Sequence, residues 1–166
     1  QTFTQNWANT MADTGDFKHS GESYDQTTCN SNGGYGENIA AGYSTITEAL
    51  QAFYDEQDSY DYNNPAANHF SAMIWKSASL FAGAGAYNKS TTYGYYWSSN
   101  YGSTTGTAPN GGNYAENVTP PSRTEAECEK IVTDYEHGII DSSAFTASSR
   151  YLLLVVFAAT IIFSLM

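Results

Sequence analysis

Residues 151–166 read YLLLVVFAATIIFSLM, apolar apart from one Thr and one Ser, so whatever folds in water must be built from the residues ahead of them. Sixteen residues make about 24 Å of helix, short of the ~30 Å hydrocarbon core and the ~20 residues that a span needs. A run of small residues, Asp141 to Ala144, and a short, mostly polar spacer over 145–150 precede the tail. That is the layout of a glycosylphosphatidylinositol (GPI) attachment signal. A tail anchor that keeps these residues, or a buried terminal helix, are the other readings. The layout is expected to be a folded domain over 1–121, a helical stalk and spacer over 122–150, and the tail over 151–166.

The folded part has material for a core: 41% of residues are hydrophobic and 15% aromatic, with 14 Tyr, while 14% are charged. Wholesale disorder is excluded. Seventeen acidic residues against six Lys and Arg give a net charge of −11, with no basic cluster to neutralise a phosphate backbone. Nucleic acid is therefore excluded as a partner. Cys29 and Cys128 permit at most one bridge, and their spacing is no metal or redox motif. The chain opens at Gln1 with no Met, charged leader or hydrophobic stretch, as a mature end or a sequence begun within a longer protein.

Hydrophobic periodicity assigns the elements. Trp7, Ala8 and Met11 share a helical face over 4–12, and Gly15 stops it. Residues 19–35 have loop chemistry. Thr45 or Thr47 caps a helix to Tyr60 with Ala49, Leu50, Phe53 and Tyr54 as its stripe. Residues 69–75, HFSAMIW, suit a short helix or a strand. Residues 80–87 and 93–101 read as antiparallel strands joined by a turn at 88–90. Thr124 and Glu127 form a capping box for a last helix over 124–139, whose stripe is Cys128, Ile131, Val132, Tyr135 and Ile139. His137 falls on the solvated side of that helix. A mixed α/β domain follows.

Five stretches, WANTMADTGDFKHS, GYGENIAAG, ALQAFYDEQDSYDY, HFSAMIWKSAS with a following GAG, and GGNYAENVTPP, stand in the order and approximate spacing of the CAP superfamily. This superfamily groups cysteine-rich secretory proteins, antigen 5 and plant pathogenesis-related protein 1. The resemblance covers about 5–121. It implies a three-layer α-β-α sandwich, here without the helix that normally precedes a segment like QNWANTMA. Ser99-Asn100-Tyr101 replaces a Cys-containing strand motif and 82–85 lack the usual Cys, so the disulfide-poor Golgi-associated plant pathogenesis-related-like and fungal sterol-binding branches are most similar.

The resemblance also implies a cleft lined by two His and two Glu, which fall on His19, Glu37, Glu56 and His69, with His19 and His69 as ligands for Zn²⁺ or another divalent cation. Imidazole with carboxylate suits such a site. Taken alone, His19 reads as a loop residue and His69 as a half-buried packing residue, since no pair of ligands shares one helix. Ser20 and Ser71 stand near the histidines but in no nucleophile elbow, so no catalytic residue is assigned. The resemblance points to a lipid ligand, sterol or fatty acid, with Tyr60, Tyr62 and Pro65 in the loop that contacts it. The same tyrosines read equally as ordinary surface, ring inward and hydroxyl to water. The sequons at Asn88 and Asn117 agree with a secreted glycoprotein. The expected protein is extracellular, held at the cell surface by its tail; a wall-associated interaction protein with a vestigial cleft and, less favoured, a hydrolase are the alternatives.

Overall fold

Residues 2–21, 35–102 and 108–136 are described in the computed structural model. The tail and its GPI or anchor reading, Cys29 and its pairing, and His137 lie outside the described residues, as does the side chain of Cys128. Among the described residues no helix is long and apolar enough to cross a membrane.

Helix α1, Thr2–Thr14, buries Thr4, Ala8, Met11 and Ala12 along one side. Gly15, at φ +75°, ends it by returning its N–H to the Met11 carbonyl at 2.9 Å, a conformation a side chain would strain. Strand β1, Tyr35–Ala41, is followed by helix α2, Ile46–Asp55. Thr45 caps α2 through the Glu48 N–H while the Glu48 carboxylate accepts from the Thr45 N–H, so Thr45 is the cap. The helix tightens into a 3-10 turn over Glu56–Ser59, one residue short of the expected end at Tyr60.

Residues 69–73, HFSAM, are helix α3, His69–Met73, and the ambiguity with a strand is settled by its start: Asn68 Oδ1 accepts the Ser71 N–H at 2.7 Å and Ser71 Oγ accepts the Asn68 N–H at 2.9 Å. Strands β2, Leu80–Tyr87, and β3, Tyr95–Gly102, pair antiparallel as expected. Their connection runs over 88–94 rather than three residues, closed by the Asn88 N–H on the Gly94 carbonyl at 2.8 Å. A short helix α4, Tyr114–Asn117, and helix α5, Glu125–Glu136, complete the description. The Thr124–Glu127 capping box is present at the start of α5.

The sheet has the order β1-β3-β2, antiparallel throughout. Alternation along the strands separates two cores. Ile39, Ala41, Ala86 and Tyr96 meet Trp7, Met11 and Ala12 of α1. On the opposite face Ala40, Trp97 and Tyr101 meet Ala49 and Phe53 of α2, Phe70 and Met73 of α3, and Trp75. Helix, sheet and helices therefore form the three expected layers. Strand β1 is the element that periodicity did not separate from the preceding loop. Its small residues, YGENIAA, bury three consecutive positions and show no clean alternation.

Candidate functional site

Just after α1, His19 projects from an extended segment with its side chain 60% exposed, and Glu37 enters from β1 with only 7% exposed. The His19 Nδ1–H donates to Glu37 Oε1 at 2.8 Å, and the Ser20 N–H donates to the same oxygen at 2.9 Å. Burial works against the Glu37 anion, but the hydrogen bonds from His19 and Ser20 outweigh it and hold the carboxyl below its ordinary range. The hydrogen bond to Glu37 raises the His19 imidazole above its ordinary value against the opposing effect of burial. Each group thus favours the charged form of the other. Glu37 Oε2 is buried without a hydrogen-bond partner. Opposite Glu37 in the ladder stands Asn100, whose Oδ1 accepts the Thr4 hydroxyl at 2.8 Å and whose Nδ2 is also buried and unpartnered.

The second pair is assembled differently. Glu56 opens the 3-10 turn after α2, and its Oε1 accepts from His69 Nδ1 at 2.6 Å while Oε2 accepts the N–H groups of His69 at 2.8 Å and Phe70 at 3.4 Å. A carboxylate at those amides satisfies donors that have no partner within the helix. Both side chains are part-exposed, 39% for His69 and 33% for Glu56. The His69 ring stacks on Phe53 with centroids 4.7 Å apart.

Three further residues fix His69, and sequence reasoning singled out none of them. Asn38, the neighbour of Glu37 on β1, donates from Nδ2 to the His69 carbonyl at 3.0 Å. Asn110, in the left-handed region at φ 59°, accepts the Ser71 hydroxyl at 2.7 Å and donates to the Asn68 carbonyl at 3.1 Å. The Tyr114 hydroxyl donates to the Asn110 carbonyl at 2.9 Å. Ser71 is fully buried and committed to this network, which removes it as a hydrolytic nucleophile.

The four residues stand as two pairs, His19 with Glu37 and His69 with Glu56, and adjacent residues of β1 serve both, Glu37 in the first and Asn38 at the His69 carbonyl. In each pair the carboxylate fixes the ring through Nδ1, as zinc-binding histidines are commonly oriented. Zinc takes at least three protein ligands, and among the described residues no group of three or more His, Cys, Asp or Glu stands close enough to hold a metal ion. The described residues do not by themselves make the expected metal site.

Tyr60 and Tyr62 form an aromatic wall with edge contacts, Tyr60 to Tyr62 at 5.1 Å, Tyr60 to Phe70 at 5.5 Å and Tyr54 to Phe70 at 5.7 Å. The rings pack inward as expected of surface tyrosines, but the hydroxyls do not reach water. Both are buried and neither O–H has an acceptor, although the Ala66 N–H lies at the Tyr60 oxygen; burial raises both phenols above their ordinary values. Pro65 is half-buried in the same loop. The sequon residues serve the fold: Asn117 is 8% exposed and donates to the Asn113 carbonyl at 3.1 Å, and Asn88 donates to the Ala12 carbonyl at 2.9 Å.

Residues 1–101 match the CAP family, described as the cysteine-rich secretory protein family. Protein PRY2 of Saccharomyces cerevisiae is 35% identical over 123 residues, which are 72% of this chain and 32% of that protein. Secreted protein RBT4 of Candida albicans is 33% identical over 129 residues, 72% of this chain and 33% of that one. The chain thus spans about a third of the length of these relatives. Among solved structures, venom allergen-like protein 4 of Schistosoma mansoni aligns over 77% of this chain and 76% of its own at 16% identity, with a TM-score of 0.47.

Proposed function

Because the chain belongs to the cysteine-rich secretory protein family, CAP, we propose that it is a secreted or cell-surface protein that takes up a small lipid with one polar group, a sterol or a fatty acid, against the wall of Tyr60, Tyr62 and Phe70. The observation that carries the reading is the pair of buried hydroxyls on Tyr60 and Tyr62, neither of which has an acceptor for its proton. A buried O–H without an acceptor costs about 1–3 kcal/mol, and a ligand supplying a hydroxyl or carboxylate oxygen returns that energy while its hydrocarbon covers the rings. Tyr54 and Phe70 extend the apolar wall. The related Candida albicans RBT4 is a secreted protein by name, which supports the location, and residues 151–166 would tether the domain to its membrane.

The test is tritiated cholesterol and palmitate binding to the full chain and to its Tyr60→Phe/Tyr62→Phe double variant. The variant keeps both rings and removes only the hydroxyls. Lipid affinity falls about tenfold while the unliganded protein gains about 2 kcal/mol of stability or more, since two unmet donors are gone. Equal affinity in the two proteins removes the tyrosines from the site. No binding by the wild type favours a protein that works through a macromolecular partner.

A further inference from the structure

On the face of the sheet that carries Trp97, the cover of α2 reaches Gly83, where an added Cβ would lie 2.8 Å from Ile46 Cδ1. Beyond it, the chain has placed aromatic rings where a cover would otherwise be. Trp97 is opposite Gly85 in the ladder, and a Cβ on Gly85 would fall 2.2 Å from the indole. Only glycine lets that ring lie flat on the neighbouring strand. The indole is pinned in that pose by its Nε1–H, which donates to the Tyr43 carbonyl at 2.8 Å.

Tyr95, two residues back on the same strand, has its ring plane 3° from that of Trp97 and its centroid 6.3 Å away. Two parallel rings, one lying on the sheet and the other displaced along the strand, make a platform rather than a stack. Tyr87, paired with Tyr95 across the ladder, adds a third ring at 4.6 Å, tilted by 41° as a side wall to the other two, and is 59% exposed. Tyr43 flanks the indole and is also exposed.

Charge narrows the occupant. The chain carries seventeen acidic residues, yet none falls between 77 and 115, where Lys89 is the one charged residue. In a protein of net charge −11 the stretch that supplies these rings carries a single charge, on Lys89. It complements a neutral ligand, neither an anionic surface nor a basic peptide. We propose that Tyr87, Tyr95 and Trp97 form a stacking platform for a neutral, equatorially linked glucan.

The ring hydrogens on the faces of such a sugar are weakly positive and meet the negative faces of aromatic rings. Equatorial links leave both faces of each sugar open to a ring, so that sugars of one chain can lie on Trp97 and Tyr95, whose planes are parallel within 3°. The rim hydroxyls of the tyrosines suit the ring hydroxyls of the ribbon. Tyr60 and Tyr62 do not take part, so this site stands independently of the lipid reading.

The experiment is calorimetric titration of the full chain, kept in an ethoxylated alcohol detergent that contains no sugar, with cellohexaose, laminarihexaose and, as an α-linked control, isomaltohexaose. A β-linked hexamer binds and isomaltohexaose does not. Tyr87→Ala removes an exposed ring and weakens binding about tenfold, with unchanged circular dichroism; Tyr60→Phe leaves it as in the wild type. Gly85→Ala keeps every ring but lifts the indole from the sheet, and weakens binding as well. Absence of heat with both β-linked hexamers, equal binding of the α-linked one, or full affinity in folded Tyr87→Ala overturns the proposal. Sedimentation of the wild type as a dimer that Tyr87→Ala dissociates would instead assign the rings to self-association.

Discussion

His19 with Glu37 and His69 with Glu56 use the same two side chains, but the first pair hides its acid and exposes its base, whereas the second leaves both partly open and spends the acid on the backbone. Glu56 holds one imidazole and two amide hydrogens, and so joins the end of α2 to the start of α3. Glu37 holds one imidazole and the amide and hydroxyl of Ser20, with its second oxygen unmet. An acid whose oxygens are all spent on main-chain and ring donors works as a fastener. An acid kept buried with an unmet oxygen carries a cost that the fold alone does not repay.

The difference is largest in stability. Glu56→Ala removes three hydrogen bonds to a charged acceptor and leaves the first amides of α3 without it. A loss of about 3 kcal/mol in urea unfolding is expected. His69→Ala keeps the amide bonds to the same carboxylate, and its cost stays near 1 kcal/mol. Similar losses in the two variants would break the reading of Glu56 as a backbone fastener.

Glu37→Gln probes the other pair. It preserves the acceptor for Ser20 and removes the charge on a side chain that is nearly inaccessible, so the expected loss is smaller, about 1 kcal/mol by the same measurement. The variant also supplies an amide where Oε2 had no partner. A loss as large as that of Glu56→Ala would mean that both acids fasten the fold alike.

These contrasts mark what could be read along the chain. Helices α1 and α2 were legible because their apolar residues recur at helical spacing and Gly15 and Thr45 bound them. The strands β2 and β3 were legible from their Gly- and Tyr-rich composition. The start of α3 had a local signal that went unread, the Asn68 and Ser71 of a capping box in which Asn and Ser stand for the usual pair. Asn110 had none: its partners at Ser71 and Asn68 lie 39 and 42 residues away, and its left-handed backbone is one that asparagine tolerates but does not announce. The pairs themselves close over 18 and 13 residues. No periodicity spans such gaps, and only the resemblance to the CAP superfamily brought those four residues into view. One of the two readings of the tyrosine loop put its hydroxyls in water; three-dimensional packing buries them.

The smallest expected effect is a pH dependence confined to the first pair. His19 has a folded value above the ordinary 6.5, so its contribution is fully present below 6.5 and is lost as pH rises through the folded value. Glu37 has a folded value below the ordinary 4.5, so its contribution is present above 4.5 and is lost as pH falls through the lowered one. Both are complete between 4.5 and 6.5, and the pair stabilises most there. Because water reaches the imidazole, the amplitude is at most about 1 kcal/mol and shrinks in salt. The checks are unfolding free energies across pH for the wild type and His19→Ala, whose difference should peak in that window and narrow toward alkaline pH, and the NMR titration of His19, which moves down in Glu37→Gln. A difference that stays constant from acid to alkaline pH would show that His19 contributes by packing alone, and the first pair would then be no more a charge pair than any exposed contact.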